Sequence, residues 1–291
     1  MLFNKNFKKD RFITSDNIQI NYVSGGRGEP LLLLHGYPQT HVMWASVANE
    51  LSNDYFVICP DLRGYGDSSK PKGLENHENY SKKVMANDMI ELMEELGYEE
   101  FYLAGHDRGA RVTHRICLDY PHMIKKVSVL DIAPTFHMFL NSDMNFSTGY
   151  YHWFFLIQEY PLPETLIGNN AEYYLKEKLK RWSAPGATFN EDAVKQYVRC
   201  FDKDMIHSTC EDYRASATVD MNDDAFSRDK KISMPLLVLW GEKGFINKNY
   251  NVIDVWKDYA KDVSGKALEC GHFLAEEAPF DVIDEFRKFF R

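Results

Sequence analysis

Gly105-His106-Asp107-Arg108-Gly109 follows an apolar run at 101–104 and precedes a helical stretch. Gly-x-nucleophile-x-Gly is the pattern of a sharp strand-to-helix elbow. The turn exposes its middle side chain, and the flanking glycines remove Cβ atoms that would clash. Here the middle residue is Asp107, where Ser would suit acyl transfer. A carboxylate suits displacement at saturated carbon, which leaves an ester on the enzyme. Taken alone, Asp107 serves equally well as a helix N-cap. Its surroundings decide.

Outward from the elbow, short apolar runs at 30–34, 55–59, 127–130 and 236–240 each end in or beside His-Gly, Pro-Asp, Asp or Gly. Such runs suit parallel strands buried on both faces. Two alternating segments, 11–14 and 18–23, open the chain. Met85, Met89, Leu92, Met93 and Leu96 recur at helical spacing, and 252–259 and 279–290 read the same way. Strands alternating with helices predict an α/β fold with a mostly parallel, doubly wound sheet and ligands at the carboxyl ends of its strands. The aromatic-rich stretch 135–226 contains YYHWFFLIQ and AEYYLKEKLKRW but no clear buried strand. It reads as a helical cap inserted into a core made of 1–134 and 227–291.

An Asp ester needs a base to activate water and an acid to orient that base. His272, in Gly271-His272-Phe273 after the last short apolar segment, is the candidate base, and Asp131 the candidate acid. Glu242 in Trp240-Gly241-Glu242 is the alternative acid. Two backbone N–H donors are needed for the oxyanion, and Tyr37 and Arg108 stand in the right places. Arg111 lies one helical turn after Asp107, and guanidinium suits a carboxylate substrate. An ion pair with Asp107 would use the same spacing.

At this point the chain resembles a known family. LLLLHGYP, DLRGYGDSS, GHDRGAR and GHF are similar to motifs of the α/β-hydrolase superfamily. HDRGAR, VLDIAPT, YHW, EDYRA and GHFLAEEAP resemble its fluoroacetate (haloacetate) dehalogenases. That resemblance implies Asp107 as nucleophile, His272 as base and Asp131 as acid. It implies Arg108 and Arg111 as a clamp on the substrate carboxylate, and His152, Trp153 and Tyr213 as donors to the departing halide. The implied reaction is hydrolysis of a short 2-haloacid to the 2-hydroxy acid. Haloalkane dehalogenases and epoxide hydrolases resemble HDWG at the elbow, and Arg there argues for an anionic substrate. Tyr37, Trp182 and Ile246 would adjust substrate size.

Two other functions fit the elbow. An epoxide hydrolase would need two cap tyrosines, for which Tyr151 and Tyr213 are available. An inactive hydrolase fold used as a ligand receptor would lack a catalytic member, and none is missing. The remaining features are plainer. At 291 residues, 44% hydrophobic and 26% charged, the chain can bury a large core. A net charge of -9 excludes a generic nucleic-acid surface, so an anionic substrate needs local Arg or Lys. Five cysteines without a CxxC pair suit reduced core thiols. No HExxH or phosphate-binding glycine loop occurs, so neither metal nor cofactor is expected. No run matches a signal peptide or membrane span, so cytoplasmic residence is expected, with a homodimer compatible with the cap-rich surface.

Overall fold

A computed structural model describes residues 2–291. Eight strands form one sheet: β1 Lys8–Ile13, β2 Gln19–Gly26, β3 Glu29–Leu34, β4 Tyr55–Pro60, β5 Phe101–His106, β6 Ile124–Leu130, β7 Leu236–Gly241 and β8 Val263–Leu268. Their order is β1-β2-β4-β3-β5-β6-β7-β8. Pairing is parallel from β4 to β8, while β1 and β2 are added antiparallel at one edge. The apolar runs are this sheet's centre: Leu31, Leu32, Leu33 and Leu34 of β3 are all fully buried. At the far edge, β8 ends at Leu268, shortly before His272.

Strand order fixes where a ligand fits. After β3 the chain moves outward to β4, then crosses back over β3 to β5 and continues to β6. Right-handed crossovers in opposite directions put their helices on opposite faces. The helices Lys82–Glu95 and Arg108–Asp119 pack together, and Ala45–Leu51 packs on Pro279–Phe290. The crevice between the carboxyl ends of β3 and β5 is therefore the switch point, where open α/β sheets take ligands.

Between β6 and β7 the chain forms only helices, from Thr135–Leu140 to Val219–Phe226. The helix Lys203–Ala217 is buried along most of its length, including Glu211, Asp212, Tyr213 and Arg214. All five cysteines are buried free thiols. Among the described residues no helix is long and apolar enough to cross a membrane.

Candidate active site

Asp107 sits at the switch point with φ 45° and ψ -113°. For a non-glycine residue this costs about 1–3 kcal/mol, and such strain persists only where the surroundings impose it. The surroundings here are close-packed backbone. A Cβ on Gly36 would lie 2.5 Å from the Asp107 Cβ, and one on Gly109 would lie 2.3 Å from the His35 carbonyl oxygen. Gly109→Ala is accordingly expected to destabilise the protein by about 1–3 kcal/mol, measured as a lowered urea midpoint. An unchanged midpoint would mean the elbow relaxes without strain.

The Tyr37 N–H donates to Asp107 Oδ2 at 3.0 Å. Arg108 opens its helix, so its own N–H is a first-turn donor without an intrahelical acceptor. Asp131 also has positive φ, 52°, at the end of β6. Its Oδ1 accepts from the Gly241 N–H at 2.9 Å, and its Oδ2 lies 2.6 Å from His272 Nδ1. This leaves His272 Nε2 buried without a partner. Glu242, by contrast, is exposed.

Charge around these groups is uneven. Burial works to raise the Asp107 pKa, but the charges of His272, Arg111 and Arg108 outweigh it and hold the carboxyl below its usual range. Burial works against protonated His272, yet the hydrogen bond and charge of Asp131, with the charge of Asp107, lift it above 6.5. Asp107 forms no ion pair within 4.0 Å among the described residues, so the Arg111 spacing does not produce a structural bridge.

The two arginines are held by other groups. Arg108 Nε and Nη2 donate to the two Asp212 carboxylate oxygens at 2.9 and 2.7 Å, leaving Nη1 buried and free. The fork expected for a substrate thus grips Asp212 of the helix Lys203–Ala217. Arg111 Nη1 donates to the Ala133 carbonyl oxygen at 3.1 Å and Thr135 Oγ1 at 2.9 Å, and Nε is buried and free. No carboxylate partners Arg111, which burial and neighbouring Arg108 push below its ordinary pKa. Its guanidinium lies 4.6 Å from the Trp153 ring, and that of Arg108 lies 4.2 Å from Tyr213.

His152, Trp153 and Tyr213 are all buried, with His152 Nδ1 and Tyr213 Oη unpartnered. Burial, followed by the charges of Lys178, His272, Arg108 and Arg111, keeps His152 neutral. Tyr37 stacks 6.4 Å from His152 and meets Tyr213 edge-on at 5.5 Å. Trp182 lies 4.6 Å from His152 and 5.4 Å from His272. Ile246 is buried in the short helix Phe245–Asn249. Tyr151 is 44% exposed. Surface clefts of about 440, 720 and 650 Å³ lie elsewhere and are not lined by Asp107. The site is closed, with Asp107 only 7% exposed.

Several supporting residues carry no sequence signal of their own. His106 bonds through Nε2 to the His272 carbonyl oxygen at 2.7 Å. Burial, with His272 next, pushes His106 down to about 3, so the ring is neutral and donates. Glu277 accepts from the Gly271, Phe273 and Ala184 N–H groups, and the His272 N–H donates to the Trp182 carbonyl oxygen. Asp212 also receives Lys82 Nζ and Tyr65 Oη. Glu164, His207 and Glu211 form the group with metal-ligand spacing among the described residues. The Arg214 guanidinium already donates to both of those carboxylates at 2.7 Å.

Residues 29–279 match the family model of the alpha/beta hydrolase fold. A fluoroacetate dehalogenase of Burkholderia sp is 41% identical, over 96% of this chain and 92% of that protein. A soluble epoxide hydrolase of Corynebacterium sp. (strain C12) is 32% identical, over 94% of this chain and 93% of that one. A crystal structure from Nostoc sp PCC 7120, provisionally named an alpha/beta hydrolase, is 53% identical with TM-score 0.97, covering 100% of this chain and 99% of that one.

Proposed function

We infer the reaction from one premise: the chain belongs to the alpha/beta hydrolase fold family and is a hydrolase. In our reading it removes halide from a short 2-haloacid, with haloacetate the first candidate. The observation that carries this is a buried guanidinium, Arg111, with no carboxylate partner, beside an ionised Asp107 that bonds to neither arginine. A buried unpaired cation is costly, and an anionic substrate would supply its missing partner. The dehalogenase relative supports the same choice.

The substrate carboxylate would take the free Arg108 Nη1 and Arg111 Nε, one N–H per oxygen. Asp107 attacks the halogen-bearing carbon, the carbon–halogen bond breaks, and halide leaves with the electron pair. His152, Trp153 and Tyr213 would donate to the halide, where a dry pocket makes such bonds strong. The new ester keeps its carbonyl oxygen on the Tyr37 and Arg108 N–H groups. His272 Nε2 then takes a proton from water as the hydroxide adds to the ester carbon of Asp107; the bond from that carbon to the alkoxy oxygen breaks, protonated His272 returns the proton to the leaving oxygen, and the 2-hydroxy acid departs. Helices within 135–226 act as the cap that closes this space.

In heavy-oxygen water, product from a single turnover should contain no solvent oxygen, because its new oxygen comes from Asp107. Label in that first product would mean that water attacks carbon directly. Arg111→Lys should lower kcat/KM for chloroacetate by about 10- to 100-fold, the scale of a charged hydrogen bond. A change of less than threefold would remove Arg111 from substrate binding.

The pH profile follows from the same charges. Ester formation needs ionised Asp107, so kcat/KM should stay flat as pH falls through about 6. Ester hydrolysis needs neutral His272, so kcat should fall on the acid side when that step limits. Esterification also removes one of the charges that lift His272, freeing it as a base near neutrality. Matching acid limbs in kcat and kcat/KM would contradict this division of labour.

One observation favours a second reading. Tyr150 and Tyr213 are both buried within the field of Asp107, an arrangement that could protonate an epoxide, and epoxide hydrolases are among the relatives. Tyr151, the other tyrosine considered from the sequence, is largely at the surface. Styrene oxide and chloroacetate offered in parallel separate the two reactions.

A further inference from the structure

Lys178 is the most unusual charge outside the reacting groups. It lies on the helix Ala171–Trp182 and is 2% exposed. A lysine normally snorkels its ammonium to water. Here the ammonium lies 3.9 Å from the Tyr151 ring centre, 5.0 Å from Tyr174 and 5.1 Å from Trp182. Among the described residues it has neither a carboxylate within 4.0 Å nor a hydrogen-bond acceptor. Aromatic faces offset part of the burial cost but do not accept its N–H groups as an anion would. Burial, with Arg181 next, pushes the ammonium down to about 7.

We propose that the cage around Lys178 is a second anion site, holding a small monovalent anion in transit between the Asp107 pocket and solvent. The proposal takes its anions from the dehalogenation reading, which brings in a carboxylate and sends out a halide. Its geometry joins the two sites. The Trp182 ring that carries Lys178 also packs 4.6 Å from His152 and 6.2 Å from Tyr37. Tyr37 Oη and Tyr174 Oη are both buried and neighbour one another, so polar hydroxyls continue from the pocket to the cage. Half-exposed Tyr151 forms its outer wall.

The test soaks crystals of the full chain in bromide and locates it by anomalous diffraction. Bromide in contact with Lys178 Nζ is expected, lost in Lys178→Met and retained in Lys178→Arg. No bromide at Lys178 in the wild-type protein overturns the proposal, whether or not the variants fold. Kinetics on chloroacetate then assign the traffic. Lys178→Met should leave single-turnover ester formation at saturating substrate intact. A rise of at least about fivefold in the inhibition constant for halide marks an exit site, and a similar rise in KM marks an entry site for carboxylate. Neither change overturns the transit role. Bromide at Lys178 without halide release from any haloacid would sink the dehalogenation reading and keep the anion site. Halide release without bromide at Lys178 does the reverse.

Discussion

Asp107→Ala is expected to abolish halide release from fluoroacetate and chloroacetate, by at least about 10⁴-fold in kcat/KM. No other carboxylate can take over the attack. Asp131 has one oxygen on His272 and the other on the Gly241 N–H, and Asp212 is held by Arg108, Lys82 and Tyr65. Asp107→Asn is the cleaner control, since Asn tolerates positive φ and preserves the elbow's shape. A halide-selective electrode and thermal unfolding measured together separate chemistry from folding. Activity within tenfold of wild type in a folded variant would remove Asp107 from its role.

His272→Ala should arrest the enzyme after the first step. About one equivalent of halide per site is released, then turnover stops. The peptide containing Asp107 gains the mass of the dehalogenated acid. The expectation rests on the free Nε2 of His272, fixed by Asp131 at Nδ1, by the His106 bond to its carbonyl and by Glu277 on both sides of its loop. Loss of steady-state turnover by at least about 10³-fold is expected. Continued turnover, or arrest with no adduct and no initial halide release, would assign the base elsewhere.

Much of this is legible in the sequence. Buried parallel strands declare themselves as continuous apolar runs, so β3 to β7 were recognisable to within a few residues. The elbow was visible because glycine is required where the backbone meets His35 and Asp107. Asp131 and Glu242 competed on position, and only the fold shows which side chain meets His272. What stayed hidden were partners distant in sequence. Nothing local to Asp212 says that it faces Arg108, more than a hundred positions earlier, or that Glu277 caps the turn after Trp182. Lys178 was invisible for a related reason: in an amphipathic helix a lysine reads as a solvated face, and its aromatic neighbours at 151, 174 and 182 assemble only in three dimensions. The fork of Arg108 shows the limit of carrying a role over from a motif. Its position fitted a substrate clamp, while most of its donors serve the protein itself.

The grip of Arg108 on Asp212 has a consequence for modularity. The guanidinium belongs to the turn that presents Asp107, and its counter-charge arrives from a helix encoded about a hundred residues later. Removing Asp212 alone, with the rest of that insert in place, would leave a buried cation unpaired, a defect of about 3–5 kcal/mol. Grafting a foreign lid to change substrate range would therefore fail unless the graft carried an acid at the Asp212 position. Substrate choice and scaffold integrity are wired through the same pair, so laboratory evolution of this enzyme should explore residues around that pair while leaving it alone.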